Sequence, residues 1–327
     1  MMRKHKLYAL ITGISMMLLI FYSRQALAGA KDGIELCVMT VLPSLFPFFV
    51  LCTIFTSHLG ELDFAFSRYL SYIMCIPDNA APVLIPAILG GYPVGAKGVA
   101  DLHRNGLIEK KQAEKLLAFC SNAGPSFLFG MVSNFFPGRI FVWKLWAIHI
   151  MGAIFTSHII AALPGENSER VVQKDSAAKS DPMLSALKAA AIVCGWVVLF
   201  RTLIAFLHDW ILWRLPQWLQ VSVVGFLELT NGCSELLQIY DTDLRFMICS
   251  GLLAFGGICV FMQTASVAHG LSLRYYFIGK SIQTVFSLLM SYIFVSESIL
   301  MYAVGAVVAV IAVRMKNKCG NLKTYPV

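Results

Sequence analysis

Charge is what this sequence has least of. Asp, Glu, Lys and Arg make up 13% of its 327 residues, against roughly a quarter in an ordinary soluble domain. With 58% hydrophobic residues and a mean hydropathy of +0.72, it carries more apolar surface than one soluble core can hide. The alternation of polar and apolar residues that marks a membrane β-strand is also missing; the apolar runs are continuous, which excludes a closed barrel. No C-x-x-C occurs among the nine cysteines, and Cys37, Cys52, Cys120, Cys194, Cys249 and Cys259 lie mostly inside apolar runs. They read as small free core residues, not as a disulfide scaffold or a zinc site. His58, His149, His158 and His269 lack metal-ligand spacing and read as packing or capping groups. No H-E-x-x-H, G-x-S-x-G or paired catalytic acid is present. The sequence therefore assigns no catalytic residue, no metal and no cofactor, and it is not read as an enzyme.

What is there is a series of long apolar runs: Leu7–Ser23, Val41–His58, Ile140–Leu163, Met183–Leu207, Phe246–His269, Tyr276–Val295 and Ser298–Val313. Most approach the roughly 20 residues that cross a hydrocarbon core, so the chain is expected to be all-α, a polytopic helical membrane protein. Its net charge of +8 does not point to nucleic acid, because the basic residues sit where a membrane protein places them. Arg3, Lys4 and Lys6 precede the first run, and Arg314, Lys316, Lys318 and Lys323 follow the last. By the positive-inside rule both termini are expected in the cytoplasm, with an even number of crossings. The basic start, the apolar stretch and "ALAGA" (Ala26 to Ala30) resemble a signal peptide. A retained first span is preferred, since the run is longer than a signal core and Arg24 interrupts the approach to the cut.

Helix breakers cluster inside the apolar sequence. Pro82, Pro86, Gly90, Gly91, Pro93, Gly95 and Gly98 crowd into residues 80–102, a density that no continuous helix tolerates. Asn122, Gly124 and Pro125 interrupt a second apolar stretch, "CSNAGPSFLFGMV". Non-helical backbone at membrane depth survives only where protein or a wet cavity satisfies its N–H and C=O groups, so two such breaks imply a cavity. Between them "NGLIEKKQAEKLLAFC" reads as an amphipathic helix at the membrane surface. The polar run from Pro164 to Pro182 reads as a linker dividing the chain. Beyond it, "LAFGGICVFMQTASV" can be laid on "AILGGYPVGAKGVA", so that Gly256–Gly257 meet Gly90–Gly91 and Gln263 meets Lys97. "LELTNGCSEL" forms another interrupted polar patch. Paired broken segments in two halves point to a transporter site at a repeat interface.

The stretch "GGYPVGAKG" superficially matches a phosphate loop, but Ala96 separates Gly95 from Lys97 and Gly98 replaces the hydroxyl residue, so that reading fails. Lys97 is the sharpest candidate, because an ionisable group at membrane depth is costly unless it has work or a partner; the alternative is a lysine snorkelling to the interface. Arg201 poses the same choice, between attracting an anionic substrate and pairing with an acid such as Glu228. Asn122, Ser126, Thr230, Asn231 and Gln263 lie at the breaks, where they either line a path or repair freed backbone hydrogen bonds.

At "GGYPVGAKG", "LAFCSNAGPSFLFG", "LELTNG", "FGGICVFMQ" and "LPSLFPFFVL", the chain resembles the sporulation integral membrane protein YlbJ family, which carries nucleoside-recognition gate domains. It departs from the family pattern at Cys259 and Phe261, where more polar residues usually follow the second glycine pair. The resemblance implies two gate-type repeats with broken or re-entrant helices in a bacterial cytoplasmic membrane, and passage of dipicolinate, an aromatic dicarboxylate, across a forespore membrane. On that basis the expected division is an N-terminal anchor (1–34), a first repeat (35–163), a linker (164–182), a second repeat (183–296) and a C-terminal helix with a basic tail (297–327). Lys97 and Arg201 would attract a small anionic solute. Asn122, Ser126, Thr230, Asn231 and Gln263 would line its path, and Gly90, Gly91, Pro93, Gly95, Gly124, Pro125, Gly256 and Gly257 would permit the breaks. No acidic cluster marks a proton relay, so facilitated passage stands beside transport with a coupling ion. The rival readings are a nucleoside transporter and a non-transporting scaffold for spore morphogenesis that docks a partner on the amphipathic segment.

Overall fold

The computed structural model describes residues 2–57, 65–163 and 181–296. Most of the expected linker, the C-terminal helix with its basic tail, and His58 lie outside the described residues. Among those described, all regular structure is helical. The chain runs through α1 (Met2–Phe21), α2 (Ser23–Leu36), α3 (Leu42–Ser57) and α4 (Ala65–Met74), then through α5 (Leu84–Leu89), α6 (Val94–Arg104), α7 (Lys110–Leu117), α8 (Pro125–Gly130) and α9 (Arg139–Ala162). The second half holds α10 (Pro182–Trp210), α11 (Gln217–Leu227), α12 (Leu229–Ser234), α13 (Thr242–Phe255), α14 (Gly257–Val267) and α15 (Arg274–Val295).

Five helical stretches among the described residues are long and apolar enough to cross a bilayer: Ser23–Phe55, Arg139–Ala162, Pro182–Trp210, Thr242–Val267 and Arg274–Val295. The expected polytopic helical membrane class therefore holds. The stretch Thr242–Val267 is interrupted at Gly256, whose φ of +84° closes α13. The first stretch joins α2 to α3 by a wide π turn over Cys37–Val41, where the Leu42 N–H reaches back to the Cys37 carbonyl.

Small residues decide how closely the long helices approach. A Cβ built on Gly29 would lie 2.9 Å from Thr202 Cα and from Ala205 Cβ, and one on Gly33 would lie 2.9 Å from Val198 Cα. These glycines, spaced i,i+4, seat α2 directly on the backbone of α10; in lipid such packing replaces the hydrophobic drive that holds soluble helices together. Around α9, α13 and α15 the core is aromatic and aliphatic, with Phe155 stacked on Phe286 at 4.8 Å. Arg245 of α13 joins the halves at one end, donating to the Phe135 carbonyl at 2.9 Å and to the Ile239 carbonyl.

The amphipathic segment turns its apolar face to the protein. Ala113, Glu114, Leu116 and Leu117 of α7 are buried, and Glu114 accepts the Ser272 N–H at 2.8 Å. Its apolar face thus packs inside the protein, against α9 and α15, and only the lysine side is left outward. There burial, then the charge of Lys111, lowers the pKa of the Lys115 ammonium, which donates to the Leu163 carbonyl at 3.0 Å.

Candidate functional site

Four interruptions, two in each half, meet in the interior. The first is the bend Gly90–Pro93 between α5 and α6, with Gly91 at φ +75° and a cis Tyr92–Pro93 bond. The second is the unwound segment Ser121–Gly124 ahead of α8, where Pro125 begins a helix that needs no N–H from it. These two backbones cross glycine on glycine. A Cβ on Gly91 would sit 2.9 Å from Gly124 N, and one on Gly124 would sit 3.0 Å from Gly91 N. One turn later a Cβ on Gly95 would strike the Cys120 carbonyl oxygen. In the second half, a Cβ on Gly257 would lie 3.0 Å from the Gly225 carbonyl oxygen, so the α13–α14 break rests on the α11–α12 break.

Unwound backbone inside a membrane must find partners, and here side chains supply them. The Asn122 amide donates to the Phe119 carbonyl at 2.7 Å, and the Ala123 N–H donates to His149 Nε2 at 3.0 Å. Since that nitrogen accepts, the proton of the neutral ring belongs on Nδ1. Tyr92, from the first break, donates its hydroxyl to the Leu253 carbonyl at 2.6 Å, a group next to the second-half break. A Cβ on Gly256 would lie 3.3 Å from the same tyrosine ring. Tyr92 therefore clasps the two halves together at their breaks.

Behind Tyr92 lies a residue that the motif reading passed over. Lys280 of α15 is only 1% exposed, although its helix spans the membrane. It is brought there by Gly279, whose position leaves no space for a Cβ against the Ala118 carbonyl. The Lys280 ammonium donates to the Ser121 carbonyl and to Gln283 Oε1 at 3.0 Å, and it stands 5.1 Å from the centre of the Tyr92 ring. Gln283 in turn donates to Asn122 Oδ1 and to the His149 carbonyl, each at 3.1 Å. Every partner of this ammonium is a neutral oxygen or a ring face. No carboxylate pairs with it among the described residues.

On the other side of Tyr92 is a cavity of about 50 Å³. Gly91, Tyr92, Gly124, Glu228, Thr230 and Gln263 line it, with Thr40 and Ser44 contributed by the π turn and α3. Glu228 is the one charged side chain among the described residues of its wall. Buried at 1% exposure, it caps α12 by accepting the Thr230 N–H at 3.1 Å, the Asn231 N–H at 2.7 Å and the Asn231 side-chain amide at 2.7 Å.

The residues expected to form the site thus separate. Gly91, Gly124, Thr230 and Gln263 meet at the cavity; Asn122 belongs to the Lys280 network, and Asn231 holds Glu228. Ser126 Oγ is buried beside the second break with no hydrogen-bond partner among the described residues. Lys97 sits on α6 in an ion pair with Asp101 at 3.0 Å, and Arg201 pairs with Asp32 of α2 at 3.0 Å rather than with Glu228. Neither cation lines the cavity. Lys280, Gln283, Tyr92 and His149 were missed. A lysine within the run Tyr276–Val295 was a legible signal for the first, because charge at membrane depth is rare; the others depend on contacts between distant segments.

Comparison with known proteins gives one informative result. No family model matches the chain, and no solved structure matches it. A relative, the sporulation integral membrane protein YlbJ of Bacillus subtilis (strain 168), is 24% identical over 316 residues, spanning 82% of this chain and 77% of the relative. That span runs through both halves and their breaks, so this multi-pass membrane protein is similar to the YlbJ protein along most of its length.

Proposed function

We propose that this chain moves a small anionic solute through the membrane by alternating access during spore formation, with two gate-type repeats rocking about the crossing of their broken helices. The observation that carries the reading is the buried Lys280 ammonium, held among the described residues by neutral groups alone where the unwound segments meet. A buried charge without a counter-charge costs several kcal/mol, and a solute carboxylate would supply the missing partner. Tyr92 stands between that ammonium and the cavity, so in the conformation described the two spaces are separate. The cavity itself is too small for an aromatic acid: about 50 Å³, against roughly 300–1,000 Å³ for pockets that take drug-sized ligands. Release of the Tyr92 clasp would join the two spaces and bring the solute to Lys280.

Dipicolinate, an aromatic dicarboxylate, is the solute to try first. The context in spore formation, at the cytoplasmic or a forespore membrane, comes from the relative's description as a sporulation protein. The test is dipicolinate flux into liposomes carrying the purified chain, with uridine as competitor. The expected result is flux that Lys280→Gln abolishes, Lys97→Ala retains and uridine leaves untouched. Competition by uridine would turn the reading to nucleosides, and no flux from folded protein would turn it to a scaffold.

A further inference from the structure

We infer that the hydroxyls of Ser121, Thr264 and Tyr276, together with the Lys280 ammonium, form the seat for one carboxylate group of the solute. This rests on the transport reading above and names the side chains that would recognise the cargo.

Three hydroxyls crowd together beside the buried ammonium. Tyr276 lies one turn before Lys280 on α15, and its hydroxyl faces the side chains of Thr264 on α14 and Ser121 in the unwound segment. The Ser121 carbonyl is the group that accepts from Lys280. All three residues are at most 2% exposed, and none of the three hydroxyl oxygens has a hydrogen-bond partner among the described residues. A helical serine or threonine can give its proton to the carbonyl one turn back. Ser266, Ser281 and Thr284 do so on the same two helices, at 2.9, 3.0 and 2.7 Å. Thr264 does not, so its proton is left for another acceptor. Burying a hydroxyl unbonded costs free energy, and departures from full satisfaction in native proteins concentrate at functional sites.

The chemistry of the cluster selects its ligand. Each hydroxyl can donate, and an ammonium has three N–H groups. Two of these go to the Ser121 carbonyl and to Gln283 Oε1; the third is available to a ligand once the Tyr92 ring, centred 5.1 Å away, moves aside. Three hydroxyls and one N–H make four donors, and a carboxylate has about four acceptor sites. A cation is refused by the ammonium, and a neutral solute would leave the buried charge uncompensated. Ser121 belongs to the first half and Thr264, Tyr276 and Lys280 to the second, so rocking of one half against the other would assemble and dismantle the seat.

The test exploits the opposite effects that a binding hydroxyl and a structural hydroxyl have on stability. The full chain in detergent is unfolded thermally with and without dipicolinate, benzoate or chloride, at equal ionic strength, beside Ser121→Ala, Thr264→Val and Tyr276→Phe. Without ligand the three variants should match or exceed the parent midpoint, because each loses an unbonded buried group. In the parent the midpoint should climb with the logarithm of either carboxylate's concentration and not with chloride. Each variant should bind roughly ten- to hundredfold more weakly, as expected for a lost hydrogen bond to a charged group, whereas Ser281→Ala, whose hydroxyl is bonded to its own helix, should keep the full shift. Lower midpoints in the variants would assign the hydroxyls to a structural water and overturn the seat; so would an equal shift with chloride, full carboxylate shifts in all three variants, or no carboxylate shift in the parent. Carboxylate binding that the variants weaken, without flux in the parent, would leave the seat standing and refute transport. Flux that Lys280→Gln abolishes and the three hydroxyl variants retain would do the reverse.

Discussion

Replacing Gly91 by alanine tests the glycine-on-glycine crossing most directly. Two costs add at this position. Its φ of +75° is left-handed, which costs an L-residue about 1–2 kcal/mol. The new methyl would also sit 2.9 Å from Gly124 N, and forcing extra atoms into a packed interior costs about 1–3 kcal/mol. The expected loss is therefore about 2–5 kcal/mol. Gly124→Ala feels only the second cost, because its φ of −76° is ordinary, so its loss should be about 1–3 kcal/mol. Gly130→Ala, with nothing within 4 Å of the added carbon, should be neutral or slightly stabilising. The double variant should lose less than the sum, since both methyls press on one crossing and a single displacement relieves both. Denaturant titration in micelles, followed by tryptophan fluorescence, ranks the four. A Gly91→Ala protein as stable as Gly130→Ala would refute the crossing, and with it the placement of the network that hangs from it.

Three further outcomes follow from the same geometry. Lys97→Ala should cost less than about 1 kcal/mol, the usual range for a partly exposed i,i+4 pair, in the same titration. His149→Leu should cost about 1–3 kcal/mol by orphaning the Ala123 N–H, and the Ala123 amide should exchange faster in a hydrogen-exchange measurement, whereas His149→Gln should restore part of both. Gly29→Leu should lift α2 from α10, so that a disulfide engineered between the two helices forms more slowly than in the parent chain.

The interruptions were legible because proline and glycine act locally. Pro93, Gly91, Gly124 and Pro125 forbid a continuous helix whatever surrounds them, and the apolar runs announced a membrane by length alone. The ion pairs were less legible, for two different reasons. Asp101 lies four residues after Lys97, within reach of the i,i+4 rule, so that partner was available and overlooked. Asp32 and Arg201 are 169 residues apart, and nothing local joins them. Gln283 and His149 look like ordinary helix residues, and Tyr92 like one more residue of a break, until α15 and α9 are laid against the unwound segment. Glu228 reads in the sequence only as a partner for Arg201, because a carboxylate that caps its own helix cannot be told from one that faces a basic neighbour without the fold.

The π turn at Cys37–Val41 has a consequence of helical phase. A regular helix turns about 100° per residue, so a single inserted residue rotates everything beyond it by that amount relative to everything before. Upstream of the turn, Gly29 and Gly33 face α10; within and after it, Thr40 and Ser44 face the cavity. Deleting the exposed Val38 or Met39 would restore a plain helix without removing a buried contact, yet the two faces could no longer point where they do together. Either the glycine seam or the hydroxyl wall would swing away into lipid. The wide turn thus sets the angle at which one rod serves two neighbours, and chain length between Gly33 and Ser44 should tolerate substitution far better than a change by one.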